Sequence, residues 1–182
     1  MRIVVTGVPG VGKSTIMDGV SRTTGMKIVN YGDVMLEIAK GMGVKNRDEI
    51  RKLPAEKQRE IQRRAGEEIG KMDDVIIDTH MSIKTPSGYL PGLPEWVLRE
   101  IKPSMLVLIE ANPEDIYSRR SRDTTRARDN ESQESIRIHQ EINRSFAASC
   151  SVLSGATVVI IKNEEGKVDK AVNDLVSMIK HG

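Results

Sequence analysis

Gly7-Val8-Pro9-Gly10-Val11-Gly12-Lys13-Ser14-Thr15 matches the pattern G-x-x-x-x-G-K-[ST] in full, and its flanks fit the match. Arg2-Ile3-Val4-Val5-Thr6 before it is a short β-branched run that predicts a buried strand. The stretch 14–22 after it carries Ile16, Met17 and Val20 at helical spacing. Strand, glycine-rich loop and helix together make a phosphate cradle. The glycines let backbone N–H groups turn inward onto phosphate oxygens, and the new helix adds its positive dipole end. Gly7 through Thr15 are therefore expected to hold the phosphates of a nucleoside triphosphate. Lys13 reaches the β- and γ-phosphates as a compact charge, and Ser14 offers its hydroxyl to Mg2+.

Working outward, the 182 residues suit a single domain with room for a sheet core and helices on both sides. The net charge of +2 is close to balanced and gives no general case for nucleic-acid binding. Aromatic residues make up 3% of the chain, too few for the stacking platforms of a reader of single strands. Cys150 is alone, which excludes a disulfide framework within one chain. Its neighbours Ala147, Ala148 and Val152 predict a small buried filler rather than a reactive thiol. No apolar run approaches the ~18 residues of a membrane span, and a soluble, cytoplasmic protein is expected.

Short apolar runs alternate with helical patterns. Strands are predicted at 3–6, 27–29, 75–78, 105–110 and 157–161. Helices are predicted after the phosphate loop, after Tyr31-Gly32-Asp33, from the N-cap Asn46 to Pro54, and over 54–72, 94–100, 113–122, 132–154 and 167–180. This alternation implies a parallel, doubly wound α/β sheet, in which ligands bind beyond the carboxyl ends of the strands.

The residues leaving those strand ends carry the chemistry. Val75-Ile76-Ile77-Asp78 is an apolar strand ending in an acid, placed to orient Mg2+ through water together with Ser14. Glu110 also ends an apolar strand and is expected to be turned to water. Arg119, Arg120, Arg122, Arg126 and Arg128 form a cluster that reads as a lid clamping phosphoryl oxygens. Arg120 is the member expected to face solvent. Arg47 and Arg51, four residues apart, share a helix face from which an acceptor phosphate is within reach. The stretch 85–94 has three prolines and two glycines and predicts a rigid irregular loop, with Tyr89 and Leu90 lining a base pocket. His80 reads as a hydrogen-bonding support rather than a base, since a phosphate acceptor is already anionic.

GVPGVGKST (7–15), NYGD (30–33), RDEIRKL (47–53), DTH (78–80), TPSGYLPGLP (85–94) and RDTTRARD (122–129) together resemble the archaeal-type adenylate kinases over essentially the whole chain. The resemblance implies a three-layer P-loop NTPase fold with a five-stranded parallel sheet. It adds a helical AMP-binding flap at about 30–72 and a short lid at about 120–131, all within one domain. It implies reversible, Mg2+-dependent phosphoryl transfer from ATP to AMP giving two ADP, and assembly as a homotrimer. Residue by residue, it assigns Gly7 through Thr15 to ATP, Tyr31 and Gly32 to AMP, Asp78 to the metal's water, and Arg119, Arg126 and Arg128 to the lid. The chain departs from the bacterial branch. Tyr31 stands where a threonine opens their flap, and the arginine that soon follows there has no counterpart near Leu36 and Glu37. The acceptor phosphate is therefore expected on Arg51, with Arg47 beside it. No cysteine-rich lid is present, so no structural zinc is expected. Transfer to a different acceptor, and a nucleotide-switched binding protein, are the alternative readings.

Overall fold

The computed structural model describes residues 1–122 and 131–182. In chain order the elements are β1 (Arg2–Gly7), α1 (Lys13–Thr24), β2 (Lys27–Asn30), α2 (Tyr31–Lys40), α3 (Arg47–Lys52), α4 (Ala55–Gly70), β3 (Val75–Asp78), β4 (Ser82–Thr85), β5 (Gly88–Pro91), α5 (Glu95–Ile101), β6 (Met105–Glu110), α6 (Pro113–Arg122), α7 (Gln133–Ser154), β7 (Thr157–Lys162) and α8 (Val168–His181). The five expected strands form one parallel sheet in the order β2-β3-β1-β6-β7.

Alternation along the strands builds the three layers. Ile3 and Val5 of β1 join Met105, Val107 and Ile109 of β6 on one face. Ile16, Met17 and Val20 of α1 and Ala171 and Leu175 of α8 cover them. Val4, Val75, Ile77, Leu106 and Leu108 face the other way, onto Ala65 and Ile69 of α4, Val97, Leu98 and Ile101 of α5, and Ala147 and Cys150 of α7. Because both faces are covered, the central strands are unbroken apolar runs. Cys150 is the expected filler, its thiol pKa pushed up by burial. The helices start and stop on local signals. The Asn46 side chain accepts from the Glu49 amide at the start of α3, and Gly25 closes α1 with φ 75°.

Two expectations are corrected here. The stretch expected to be an irregular loop holds half of an antiparallel hairpin, in which Ile83 faces Leu90 and Lys84 faces Tyr89 across a Pro86-Ser87 turn. Proline and glycine sit at the turn and the strand end, where they do not interrupt the ladder. Glu110 does not face water. It is 3% exposed and takes Arg144 through two bonds of 2.6 Å and Lys162 through one of 2.5 Å. Burial would raise its pKa, but the bonds from Arg144 and Lys162 outweigh burial and hold it below the ordinary 4.5. A depressed pKa adds stability above the unfolded value, and that stability is lost as pH falls through the folded value. Glu110→Gln is therefore expected to cost about 2 kcal/mol at pH 7. This is less than a fully buried pair because both cations reach water. Its denaturant midpoint should converge with that of the parent protein below pH 4.5; a constant gap across that range would show that the charge contributes nothing.

The helices α2, α3 and α4 enclose a small core of their own, made of Ala39, Val44, Ile50 and Ile61. Met35 and Ile38 of α2 pack against both this core and the sheet core.

Candidate functional site

In the β1–β3 pairing Val5 stands beside Asp78, so the loop after β1 and the acid ending β3 leave the sheet together at its carboxyl edge. Gly10 and Gly12 hold the loop with φ 85° and 91°, the left-handed region that favours glycine. A Cβ on Gly12 would also come within 2.3 Å of Asn163 Nδ2.

The loop carbonyls are taken from behind. Asn163 Nδ2 donates to the Val11 carbonyl at 2.8 Å, Arg119 Nη1 to the same oxygen at 3.2 Å, and Arg120 Nε to the Pro9 carbonyl at 2.7 Å. Turning these oxygens outward leaves the other side of the loop to N–H groups. No side chain caps α1 at Gly12, so its first amides are also open to an anion.

Lys13 lies across this cradle. Its ammonium donates to the Asp78 carboxylate and, at 2.8 Å, to the Thr79 carbonyl. Asn30, the N-cap of α2, donates to the second Asp78 oxygen at 2.9 Å. It accepts from the Asp33 amide at 3.1 Å and from Arg47 Nη2 at 3.1 Å. Arg47 also pairs with Asp33. Ser14 and Thr15 are exposed on the first turn of α1. His80 reaches solvent from a densely packed surround. Burial, and then the Lys13 ammonium, lower its pKa to about 4, so it is neutral at pH 7.

The other expected residues fall in different places. Arg119 packs behind the loop, donating to Val11 and to the Asn163 carbonyl and pairing with Glu165 at 2.7 Å. A hollow of about 460 Å³ lies next to that pair, lined in part by Asn112, Asp115 and Glu165. Arg47 joins the sheet-edge network, whereas Arg51 is 80% exposed and only 3.7 Å from Asp48. Gly32 is tight against Arg47: a Cβ there would lie 3.1 Å from the guanidinium carbon. The Tyr31 ring is buried and its hydroxyl donates to the Gln62 carbonyl at 3.0 Å, with burial raising its pKa well above 10. Tyr89 rests on the His139 ring at 5.1 Å, and Leu90 is exposed on the hairpin. Arg126 and Arg128 lie outside the described residues.

Arg120 corrects the solvent-facing expectation. Its side chain is 9% exposed, held by Pro9 and by Glu131 at 2.6 Å. A cluster of arginines in sequence does not reveal which faces inward; only the path of α6 past the loop does. Asn163 and Glu131 are not singled out by the sequence reading. Asn163 is the first residue after β7, so the strand-end rule applied to that strand points to it. Glu131 has no such signal.

A family model described as an AAA domain matches residues 6–137. The chain is 63% identical to the adenylate kinase of Thermoplasma acidophilum over 180 residues, covering 98% of each chain. It is 52% identical to that of Methanopyrus kandleri over 185 residues, covering 98% of this chain and 97% of the other. Among solved structures, shikimate kinase from Acinetobacter baumannii in complex with shikimate superposes with a TM-score of 0.65 at 15% identity, over 99% of this chain and 93% of that one. Shikimate kinase from Bacteroides thetaiotaomicron gives 0.63 at 14% identity, over 99% and 98%. At such identities these two show the fold alone.

Proposed function

Because the chain belongs to the adenylate kinase family and so catalyses reversible phosphoryl transfer from ATP to AMP, giving two ADP, we propose that ATP lies on the loop 7–15 and AMP on the adjoining sheet edge, between α2 and the β4–β5 hairpin. The observation that carries this assignment is the Lys13–Asp78 pair beside the open amides of α1. There a triphosphate exchanges for Asp78 as the partner of Lys13. Arg47, already at the edge beside Gly32, is placed to exchange Asp33 for the phosphate of AMP. Arg51 reaches it only if the region 30–72 closes as a flap. Tyr31 serves that flap as an anchor through its bond to Gln62. Tyr89 and Leu90 are neighbours on β5 and point to opposite faces, so only one of the two lines the base. Arg119 backs the ATP side, while Arg126 and Arg128 in the lid at about 120–131 cover the transferring group.

No base is required, since the attacking AMP oxygen is already charged, and neutral His80 fits a supporting place. Holding both substrates in line supplies effective molarity, and Lys13 with the arginines neutralises charge spread over the phosphoryl oxygens. Closure of flap and lid keeps water from taking the phosphoryl group.

The donor set fits Mg2+ brought in with ATP. Ser14, exposed on the first turn of α1, would touch the ion directly and Asp78 would hold it through water, as suits an ion that keeps several waters and leans on substrate phosphates. When bound, the ion neutralises charge on the β- and γ-phosphates. The test is the initial rate of ADP formation from Mg-ATP with AMP, CMP, UMP, GMP or no acceptor. A high rate with AMP alone is expected, and a faster rate with another monophosphate overturns the acceptor site.

We place the enzyme in the cytoplasm as a homotrimer. Among the described residues, no helix is long and apolar enough to cross a membrane. Val152 and Leu153 at the end of α7 are 87% and 65% exposed, next in the chain to edge strand β7, whose Val158 and Ile160 are also exposed. Such a face gains from burial against a second copy. Light scattering should give the mass of three chains, and Leu153→Glu should shift it toward one. A single-chain mass for the parent protein removes the trimer.

A further inference from the structure

Glu131 immediately follows the residues 123–130 and belongs to no helix or strand, yet it is only 17% exposed. Its two oxygens are shared between different parts of the molecule. One accepts from Lys84 Nζ on β4 at 2.6 Å and faces the Ser135 hydroxyl at 3.4 Å. The other accepts from Arg120 Nη1 on α6 at 2.6 Å. Lys84 also donates to Ser135 at 2.6 Å, which fixes the ammonium against the start of α7. Arg120 in turn donates to the Pro9 carbonyl in the phosphate loop. An unbroken chain of charged contacts therefore runs from the hairpin through Glu131 to the loop.

Two features make this chain more than a surface ion pair. The Arg120 guanidinium is buried, and its Nη2 has no hydrogen-bond partner among the described residues. A buried cationic donor left unpaired is costly, so Arg120 has capacity for one more acceptor beside Pro9. The arrangement also carries two cations on one carboxylate. Arg120 meets the loop on its carbonyl side, so a shift of Pro9 as the opposite, N–H side closes on an anion is felt by Arg120 and, through Glu131, by Lys84. Burial would raise the Glu131 pKa, but Lys84 and Arg120 outweigh it and keep the carboxylate ionised at neutral pH.

We propose that Glu131 is a positioning residue that couples the two substrate sites, passing occupancy of the phosphate loop through Arg120 and Lys84 to the β4–β5 hairpin. The proposal rests on the assignment of ATP to the loop and AMP to the hairpin side. Coupling of this kind is reciprocal: ATP raises AMP affinity by the factor by which AMP raises ATP affinity.

The experiment measures dissociation constants by calorimetry for AMP, with and without a saturating non-hydrolysable ATP analogue, in the parent protein and in Glu131→Gln. The parent should show a coupling factor of about 5 or more. In Glu131→Gln each ligand alone should bind within about 3-fold of the parent, the coupling factor should fall toward 1, and kcat should drop about 10-fold with KM for ATP little changed. Glu131→Asp, which keeps the charge, should recover part of the coupling. A parent protein that binds both ligands without coupling, or a Glu131→Gln protein that keeps the full factor, overturns the proposal. A parent protein that binds neither ligand overturns the substrate assignment instead. Should Glu131→Gln fail to fold, Lys84→Met breaks only the exposed arm of the chain and must lose the coupling; unchanged coupling there also overturns the proposal.

Discussion

Replacing Lys13 with methionine is expected to reduce turnover by ~10²-fold or more, on the scale of losing one preorganised charge-stabilising donor. Methionine keeps most of the length and the apolar stem and deletes only the ammonium. The Lys13 side chain is 14% exposed and its ammonium is satisfied by Asp78 and Thr79, so it stands beside the cradle and exchanges these partners for the incoming phosphates. The Asp78 carboxylate keeps its bond from Asn30, and the folding cost should stay near the ~1–3 kcal/mol of a lost polar partner. The decisive comparison is kcat in a variant shown to be folded by circular dichroism. Near-normal turnover would falsify the role given to Lys13.

Asp78→Ala is expected to lower kcat by a similar ~10²-fold, and here the sign of the effect separates two roles. Asp78 holds Lys13 in the free enzyme, and it is also the acid proposed to order the metal's water. Were it only a restraint on Lys13, its removal would free the ammonium, improve ATP affinity and leave kcat intact. If it orders the metal, kcat falls and the Mg2+ concentration needed for half-maximal rate rises. We expect the second pattern. Titrating Mg2+ at saturating ATP and AMP decides it, and an undiminished kcat with tighter ATP binding would reassign Asp78 as a restraint.

The sheet was legible in the sequence because its strands are buried on both faces and stand out as uninterrupted apolar runs. The phosphate loop was legible because its chemistry tolerates few substitutions in residue type and spacing. The hairpin was not, since its strands are four residues each and its prolines and glycine resemble loop composition. Arg47 and Arg51 share a face in sequence, but Arg47, at the start of α3, meets Asn30 and Asp33, whereas Arg51, a turn further on, has only Asp48 beside it among the described residues. Arg120 and Glu110 escape a sequence reading for a common reason. A charged side chain is read as solvated unless its partners are known, and those partners, Glu131 for one and Arg144 and Lys162 for the other, lie at separations that no local pattern reveals.

The small core of Ala39, Val44, Ile50 and Ile61 has a consequence for how the molecule comes apart. Helix α2 has one foot in each of two packings: Tyr31 at its start belongs to the sheet core, and Ala39 near its end to the small one. Met35 and Ile38 of α2 pack against both, and α4 gives Ile61 to the small core and Ala65 and Ile69 to the sheet core, so the two packings are stitched together along both helices. A change that loosens the small core is then carried along α2 and α4 into the packing against the sheet.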